Sequence, residues 1–538
     1  MIKRRFSSYG PVDSSIEYYA EREALIQKAV NQLVGEIPEK GGHYFTVWAP
    51  RQTGKSWTLN QTLKKLLSDD RFYVAKIELQ LNFKEALPAV QYIVEQINMY
   101  LKLELKIPDT IKEFQELFKK GSLKKPIILI LDEFDDLSKE AIDEMVSVFR
   151  NIYNTRKESE KSAFEWEYQL HGVALIGVRS VMGLENPKGS PFNVQRSLHI
   201  PNLTFEEVKL MFDDFQNEWQ QKIDADVIER LYFETNGQPG LVSWFGELLC
   251  EKYNTKPDEP INMLKWNNVY ACANQIEPNN TIMNLISKAQ QAEHIDTVLE
   301  LFKTEVKMPF MFDKPSINFL YMNGVISLEN KVEDDGNENK YAKFSCSFVQ
   351  KRLFNRFADK FYSQLGLVMK PFENIDHIIT DTDIYLTNLL RRFQVYFNEN
   401  KHWLLKNAPT RHSDGRIYEA TYHFILYSWL EQYLSGMATV KPEFPTGNGK
   451  VDLLLTMNKK LYGIEVKSYS NHRKFEESIK QAAHYAVQLQ ISEISLAIFV
   501  EYMDDDNRKK YEHQYIDSQT QIKVNPVFIA LTELGIRN

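Results

Sequence analysis

Cysteine is scarce: only Cys250, Cys272 and Cys346 occur in 538 residues, far apart and without metal-ligand spacing. That arithmetic excludes a disulfide framework and a zinc ribbon. No apolar run approaches the length needed to cross a bilayer, so no membrane partner is expected. The opening Met1-Ile2-Lys3-Arg4-Arg5-Phe6 is basic, but no apolar stretch follows it, and it does not read as a signal peptide. A cytoplasmic location is the expectation. Positive charge is not in excess either: 65 Lys and Arg against 73 Asp and Glu give a net charge of -8. A general basic coat for nucleic acid is excluded, although a local basic groove is not, because binding depends on where charge sits. What is present is 43% hydrophobic and 12% aromatic content, enough for well-filled cores. The length exceeds what one core serves, and about three domains are expected.

The chain is organised around Ala49-Pro50-Arg51-Gln52-Thr53-Gly54-Lys55-Ser56, which follows the apolar run Tyr44–Trp48 and opens into a helical stretch from Trp57. Strand, loop and helix are the context of a phosphate-binding loop, where consecutive N–H groups and the helix N-terminus hold anionic oxygens. Lys55 would reach the β/γ-phosphates and Ser56 would ligate Mg2+, with Pro50 to Trp57 lining the nucleotide. The usual first glycine of this pattern is Ala49 here, a small change at the entry to the loop. A partner strand follows in Pro126-Ile127-Ile128-Leu129-Ile130-Leu131-Asp132-Glu133. An apolar run ending in two carboxylates reads as a buried parallel strand ending at a ligand crevice. Asp132 would hold Mg2+ and Glu133 would orient and deprotonate water. Without a nucleotide, the same acids would be a solvated strand end.

Other segments complete an alternating pattern. A helix is expected from Ala20–Glu23 onward, a strand over Phe72–Leu79, helices around 85–103 and 110–120, and strands at Val173–Ser180 and Ser197–Pro201. In ATPases that this pattern resembles, a polar residue at this strand end senses the γ-phosphate, which makes Arg179 the candidate, against a simple role closing the strand. Lys119, Lys120, Lys124 and Lys125 read most simply as a solvated turn. Thr204 and Glu207 form a capping box that opens a helical lid. Glu234–Leu241 punctuates a turn before a helix over Val242–Cys250. As a set, Ala49–Ser56, Ile127–Glu133, Gly177–Ser180 and Asn236–Leu241 resemble prokaryotic AAA-like ATPases related to the STAND and archaeal-ATPase families. Gly10-Pro11-Val12 and Ala20–Glu23 are similar to their N-terminal region. The resemblance covers about residues 6–255 and implies ATP rather than GTP, since no N-K-x-D element occurs. Arg150, Arg156 and Arg196 are alternatives for an arginine finger from a homo-oligomer partner.

Residues 256–360 read as helices followed by a β-turn-β element, Phe319–Ser327 and Tyr341–Cys346 around the polar loop Glu329–Lys340, similar to a winged helix. Glu333, Asp334, Asp335 and Glu338 make that loop acidic, which disfavours a seat on phosphates. Residues 361–410 read as a helical connector carrying one basic spot, Arg391-Arg392.

From 411 to 538 a second constellation appears. Glu419 and His423 share a helix face. Val451-Asp452-Leu453-Leu454-Leu455 and Leu461–Lys467 read as a hairpin that can bring Asp452 beside Glu465, with Lys467 on the same face as Glu465. Two carboxylates and a lysine suit metal-dependent phosphodiester hydrolysis. Asp452 and Glu465 would hold Mg2+ or Mn2+, Lys467 would stabilise developing charge, and Glu419 would complete the acidic set. The bland reading is an amphipathic hairpin with polar edges. With Gly463 ahead of Glu465 and the pair Gln481 and Tyr485 on the next helix, the segment resembles the PD-(D/E)XK nuclease superfamily, its RecB-like branch in particular. The family's proline-aspartate pair is Val451-Asp452 here. The resemblance implies a restriction-endonuclease-like α/β fold, DNA as substrate, and catalytic roles for Gln481 and Tyr485. The fold class expected is therefore multidomain α/β: a P-loop parallel sheet with a lid over 1–255, a winged-helix-like middle, and the nuclease-like end. The expected function is an ATP-gated nuclease with a role in defence or mobile-element biology. The competing class is a signalling or scaffold ATPase that does not cut.

Overall fold

The computed structural model describes residues 3–10, 12–80, 83–157, 162–177, 197–302, 307–332, 338–370, 373–406, 408–410, 415, 417–443, 452–469 and 471–531. Five apolar segments become parallel strands: β1 (Tyr44–Trp48), β2 (Tyr73–Glu78), β3 (Ile127–Asp132), β4 (Leu170–Gly177) and β5 (Ser197–His199). Their order is β2-β3-β4-β1-β5. β3 and β4 are buried along their whole length, as runs of Ile, Leu and Val require when helices cover both faces. Side chains of β3 alternate between two cores. Ile128 and Ile130 pack with Leu33, Leu59 and Leu66 from α1 (Glu23–Val34) and α2 (Lys55–Leu67). Ile127, Leu129 and Leu131 pack with Ile93, Phe114 and Phe149 from α3 (Ala86–Leu101), α4 (Ile111–Glu116) and α5 (Lys139–Lys157). Each such burial contributes roughly 1.5–3 kcal/mol.

The strand order positions the chemistry. β4 pairs with both β1 and β3, so the loop after β1 and the acids after β3 are two strand spacings apart, roughly 10 Å. Gly177 closes β4 against Asp135, whose Oδ1 would lie 2.3 Å from any Cβ there. The helix expected over 110–120 stops at Glu116, because Lys119 and Lys120 leave it to bridge Tyr168 and Leu123.

A helical lid follows: α6 (Phe205–Trp219), α7 (Ala225–Thr235) and α8 (Pro239–Glu247). The capping box at its entry is complete, Thr204 accepting from the Glu207 N–H at 3.2 Å and Glu207 from the Thr204 N–H at 2.9 Å. α8 begins at Pro239, earlier than the expected Val242, since Gln238 caps the Leu241 N–H and proline is preorganised for a first helical turn. The N-terminal segment straps onto the lid: Phe6 packs among Tyr18, Phe212 and Phe215, and Arg4 pairs with Asp214 and Glu218. Helices α9 (Met263–Gln275), α10 (Asn280–Ala289), α11 (Ile295–Leu301) and α12 (Pro315–Met322) come next.

Two compact units result, Met1–Thr281 with Phe312–Gly324, and Ile282–Met311 with Val325–Asn538. The strand expected from Phe319 starts only at Ile326, because Phe319–Met322 completes α12 and Gly324, at φ 78°, turns the chain out of it. β6 (Ile326–Val332) then pairs with β7 (Glu338–Phe344) in an antiparallel ribbon. In the second unit α13 (Ser347–Tyr362), α14 (Leu386–Leu404) and α15 (Glu419–Tyr433) precede a six-stranded sheet. Its strands are β8 (Thr439–Glu443), β9 (Asp452–Met457), β10 (Lys460–Ser468), β11 (Glu493–Val500), β12 (Tyr515–Ile516) and β13 (Lys523–Ala530), in the order β12-β13-β11-β10-β9-β8. Helices α16 (His472–Gln488) and α17 (Asp505–Tyr511) connect them. Phe302, Phe354, Phe357 and Phe424 form one aromatic cluster that joins α13 to α15. The basic spot at Arg391-Arg392 is neutralised, Arg391 by Glu512 and Arg392 by Glu373. Among the described residues no helix is long and apolar enough to cross a membrane.

One buried base makes the first unit acid-sensitive. His171 on β4 is 2% exposed, and burial, with Arg156 and Arg71 nearby, pushes its pKa down to about 4 against the pull of the Val34 carbonyl. Above about pH 6.5 the folded and unfolded forms are both neutral and stability is complete. Below that, only the unfolded chain takes the proton, so up to about 3 kcal/mol is lost between pH 6.5 and 4. His171→Gln is expected to flatten urea-unfolding stability across that window. An unchanged pH slope would remove His171 from the account.

Candidate functional site

Gly54 sits at φ 85° as the N-cap of α2, a left-handed turn that side chains resist, and it aims the first N–H groups of the helix back into the loop. Thr53 is buried and its hydroxyl donates to the Pro50 carbonyl at 2.8 Å, tying the loop to itself. The Lys55 ammonium donates to the carbonyls of Ala49 at 2.8 Å and Pro50 at 3.2 Å, inside the curve of the loop. Burial lowers its pKa, opposed by the charges of Glu133, Asp135 and Asp132. Ser56 is exposed in the first turn of α2, where a hydroxyl can ligate a cation. Gln52 is turned to the lid instead. Its side chain meets Thr281, its carbonyl accepts from Gly240 N–H at 3.0 Å, and Gln238 Nε2 donates to the Arg51 carbonyl at 3.2 Å. A side chain at Gly240 would crowd the clamp, since its Cβ would come 2.7 Å from Gln52 Cβ. The Trp57 ring is buried against Tyr19, so only its backbone is left for a nucleotide.

At the end of β3, Asp132 is 6% exposed and its Oδ2 lies 3.3 Å from Lys76 Nζ on β2. Lys76 also reaches Glu78 Oε1 and Asn60 Oδ1, each at 3.3 Å. Glu133, at φ 52°, leaves the strand in the left-handed region; burial, then the charges of Asp132 and Asp135, raises its pKa. A carboxylate of raised pKa beside the Lys55 ammonium is suited to receive a proton from water. Arg156 is not available as an arginine finger: it is 3% exposed, donates to the Leu170 and Gly42 carbonyls, and lies over Trp166 at 4.5 Å. Arg179, Ser180 and Arg196 lie outside the described residues.

In the second unit, β9 and β10 set Asp452 directly opposite Glu465, so the two carboxylates share one face. They are 2% and 3% exposed. Lys467 Nζ is 2.8 Å from Glu465 Oε1, while Glu465 Oε2 is buried without a hydrogen-bond partner. A buried carboxylate oxygen with no donor suits a divalent cation, and Asp452 and Glu465 would hold it. Among the described residues no group of three or more His, Cys, Asp or Glu is arranged to hold a metal. Glu419 begins α15 with Oε1 3.7 Å from His423 Nε2. That contact is not an ion pair. His423 is fully buried, its pKa is pushed down to about 3 by burial and by Lys467, and neither ring nitrogen has a hydrogen-bond partner. Gln481 is exposed on α16, whereas Tyr485, one turn on, is buried in the core beneath the sheet.

Fold and site define a P-loop ATPase-type unit followed by a mixed sheet of nuclease type. Residues 7–258 match the family model of the AAA-like domain, and residues 417–524 match that of the PD-(D/E)XK nuclease superfamily. The chain thus carries an AAA-like domain and a PD-(D/E)XK nuclease superfamily domain. No curated protein sequence matches it. Among solved structures it is similar to a Walker-type ATPase of Pyrococcus abyssi, with 12% identity, 65% of this chain and 99% of that one covered, and TM-score 0.42. It is also similar to the Aeropyrum pernix ORC1 protein in complex with DNA, at 13% identity, 64% and 94% coverage, and TM-score 0.31. A Thermotoga maritima RuvB variant gives 13% identity, 58% and 90% coverage, and TM-score 0.32.

Lys76, Asp135 and the Gln238–Gly240 clamp were not anticipated from sequence. The signal for Lys76 was a lone pair of charges, Lys76 and Glu78, in an otherwise apolar strand. Because its ammonium occupies the carboxylate that Mg2+ would use, Lys76→Met is expected to lower the Mg2+ concentration for half-maximal binding of a fluorescent ATP analogue. About fivefold is expected, corresponding to about 1 kcal/mol for a pair at the edge of burial. Lys76→Arg should keep the wild-type requirement. Equal Mg2+ curves for wild type and Lys76→Met would show that the ion pair does not compete.

Proposed function

We propose that the chain is an ATP-dependent, metal-dependent nuclease that cuts DNA, its nucleotide state governing the cutting unit. The directly opposed Asp452 and Glu465 with Lys467 at 2.8 Å carry the reading. At the first site Lys55 and the α2 N-terminus would bind the phosphates, Ser56 and Asp132 would hold Mg2+, and Glu133 would take the proton of the attacking water. Arg179 is proposed to sense the γ-phosphate. At the second site Asp452 and Glu465 would hold Mg2+ or Mn2+, with Glu419 supporting from α15. A cation held there supplies phosphate neutralisation and a more acidic water. Lys467 would stabilise charge developing on the phosphate, and Gln481, with Tyr485 packed one turn behind it, would orient the backbone. We assign 1–255 to the ATPase with its lid, 256–360 to a winged-helix-like part, 361–410 to a connector and 411–538 to the nuclease. Action in the cytoplasm, by a homo-oligomer, in defence or mobile-element biology completes the proposal.

Plasmid DNA incubated with Mg2+ or Mn2+ and ATP tests it. Asp452→Ala and Lys467→Ala should each reduce nicking about hundredfold or more while leaving phosphate release intact. Glu133→Gln should abolish most phosphate release. Cleavage that survives Asp452→Ala would refute the second site, and the absence of cleavage on any DNA would favour a scaffold ATPase.

A further inference from the structure

The described surface of the first unit contains a second concave site. A cavity of about 510 Å³ is lined by Arg71, Lys120, Lys124, Lys125, Asp70 and Phe164, among others. Arg71 lies two residues before β2, and Lys124 and Lys125 precede β3. All strands of this sheet run parallel, so their starts lie at one edge and the phosphate-binding loop at the other. β2 alone separates the two edges by roughly 20 Å. The cavity is therefore not an extension of the nucleotide site.

Its charge is unbalanced. Arg71 is held by Asp69, with bonds of 2.9 and 2.7 Å, and the neighbouring Lys119 reaches Glu116 at 3.6 Å. Lys120, Lys124 and Lys125 are exposed, and among the described residues none forms an ion pair. Against one carboxylate in the lining, Asp70, these three ammonium groups leave the hollow positive within a chain of net charge -8, a local field that draws anions. Gly121, at φ 99°, and the bridge between Lys120 and Leu123 fold the turn so that Lys120 lines the same hollow as Lys124 and Lys125. Phe164, half-buried on Phe72, adds an apolar ring to the lining. Spaced cations beside an aromatic ring match a nucleic-acid backbone with its bases better than a lone small anion, which needs fewer, converging donors.

We infer that this cavity is a nucleic-acid phosphate-binding site, a contact for DNA distinct from both the ATP site and the cutting site. Only the choice of DNA as polyanion rests on the nuclease reading. The test is fluorescence anisotropy of a labelled DNA with the full chain across a salt series. The triple variant Lys120→Glu, Lys124→Glu, Lys125→Glu is compared with a charge-matched control, Lys209→Glu, Lys222→Glu, Lys256→Glu. Losing three phosphate contacts should weaken binding at least tenfold and lower the log–log salt slope by roughly 3. The Lys→Arg triple should bind as wild type, and binding of a fluorescent ATP analogue should be unchanged throughout. Equal losses in the cavity variant and the control would overturn the inference, as would an unchanged slope. Displacement of DNA by inorganic tripolyphosphate at equal affinity would overturn the choice of nucleic acid. Plasmid cleavage by wild type, with no change in DNA binding in the triple variant, would sink this site while leaving the nuclease reading standing. DNA binding lost in the triple variant, with no cleavage by wild type, would sink the nuclease reading alone.

Discussion

Buried carboxylates need counter-charges, and at the acidic ends of the central strands of both sheets lysines supply them. An unpaired carboxylate taken from water costs several kcal/mol, while a partner at hydrogen-bond distance recovers much of that. Asp132 is met by Lys76 and Glu465 by Lys467. The same device appears a third time at the edge of the second sheet, where Lys351 of α13 lies 2.9 Å from Glu443. Glu443 is in register with Asp452, and Asp452 with Glu465, so three carboxylates stand side by side across three antiparallel strands. Like charges directly opposite one another destabilise a sheet. Here each outer carboxylate carries its own ammonium, and the row can be buried with Asp452 at its centre.

The same economy of charge explains how the first sheet is ordered. Its strands are apolar along most of their length, and their acids appear only where β2 and β3 end, at Glu78 and Asp132, which are in register. Lys76 bridges that pair, and Asn60 ties its ammonium to α2, the helix that carries Lys55 and Ser56. The phosphate-binding helix and the acidic strand end are therefore joined through one side chain on a strand between neither of them. Interposing β4 between β1 and β3 leaves the gap that a polyphosphate and a cation would need.

Local patterns made much of this legible. The hairpin register follows from a two-residue turn: Asn458 and Lys459 have φ of 49° and 66°, the left-handed pair that matches strand twist, so Met457 faces Lys460. Counting back and forward from there puts Asp452 opposite Glu465. The phosphate-binding loop, the acidic strand end and the capping box were equally local. What escaped depends on which strands become neighbours. Lys76 matters only because β2 lies beside β3, and Arg156 is a core residue only because Gly42 and Leu170 converge on it. Phe319–Met322 was misread as strand because a short apolar run has no period long enough to separate helix from strand.

Lysine-capped acids also change what metal binding means here. Where ligands point freely into a cleft, a cation adds charge that nothing else supplies. Where an ammonium already sits on the carboxylate, a cation must exchange with it, and the gain is the difference between two electrostatic partners. A cation would then need a higher concentration to bind than at bare carboxylates, and how much higher depends on what the phosphate brings with it. Glu465 shows how both can coexist, one oxygen on Lys467 and the other buried without a donor. Asp132 is more committed, because Lys76 is also held by Glu78 and Asn60 and cannot leave without breaking those contacts. By this logic the second unit would be the readier of the two to take a cation on its own, and the first would need the charge of a bound polyphosphate to draw a cation in.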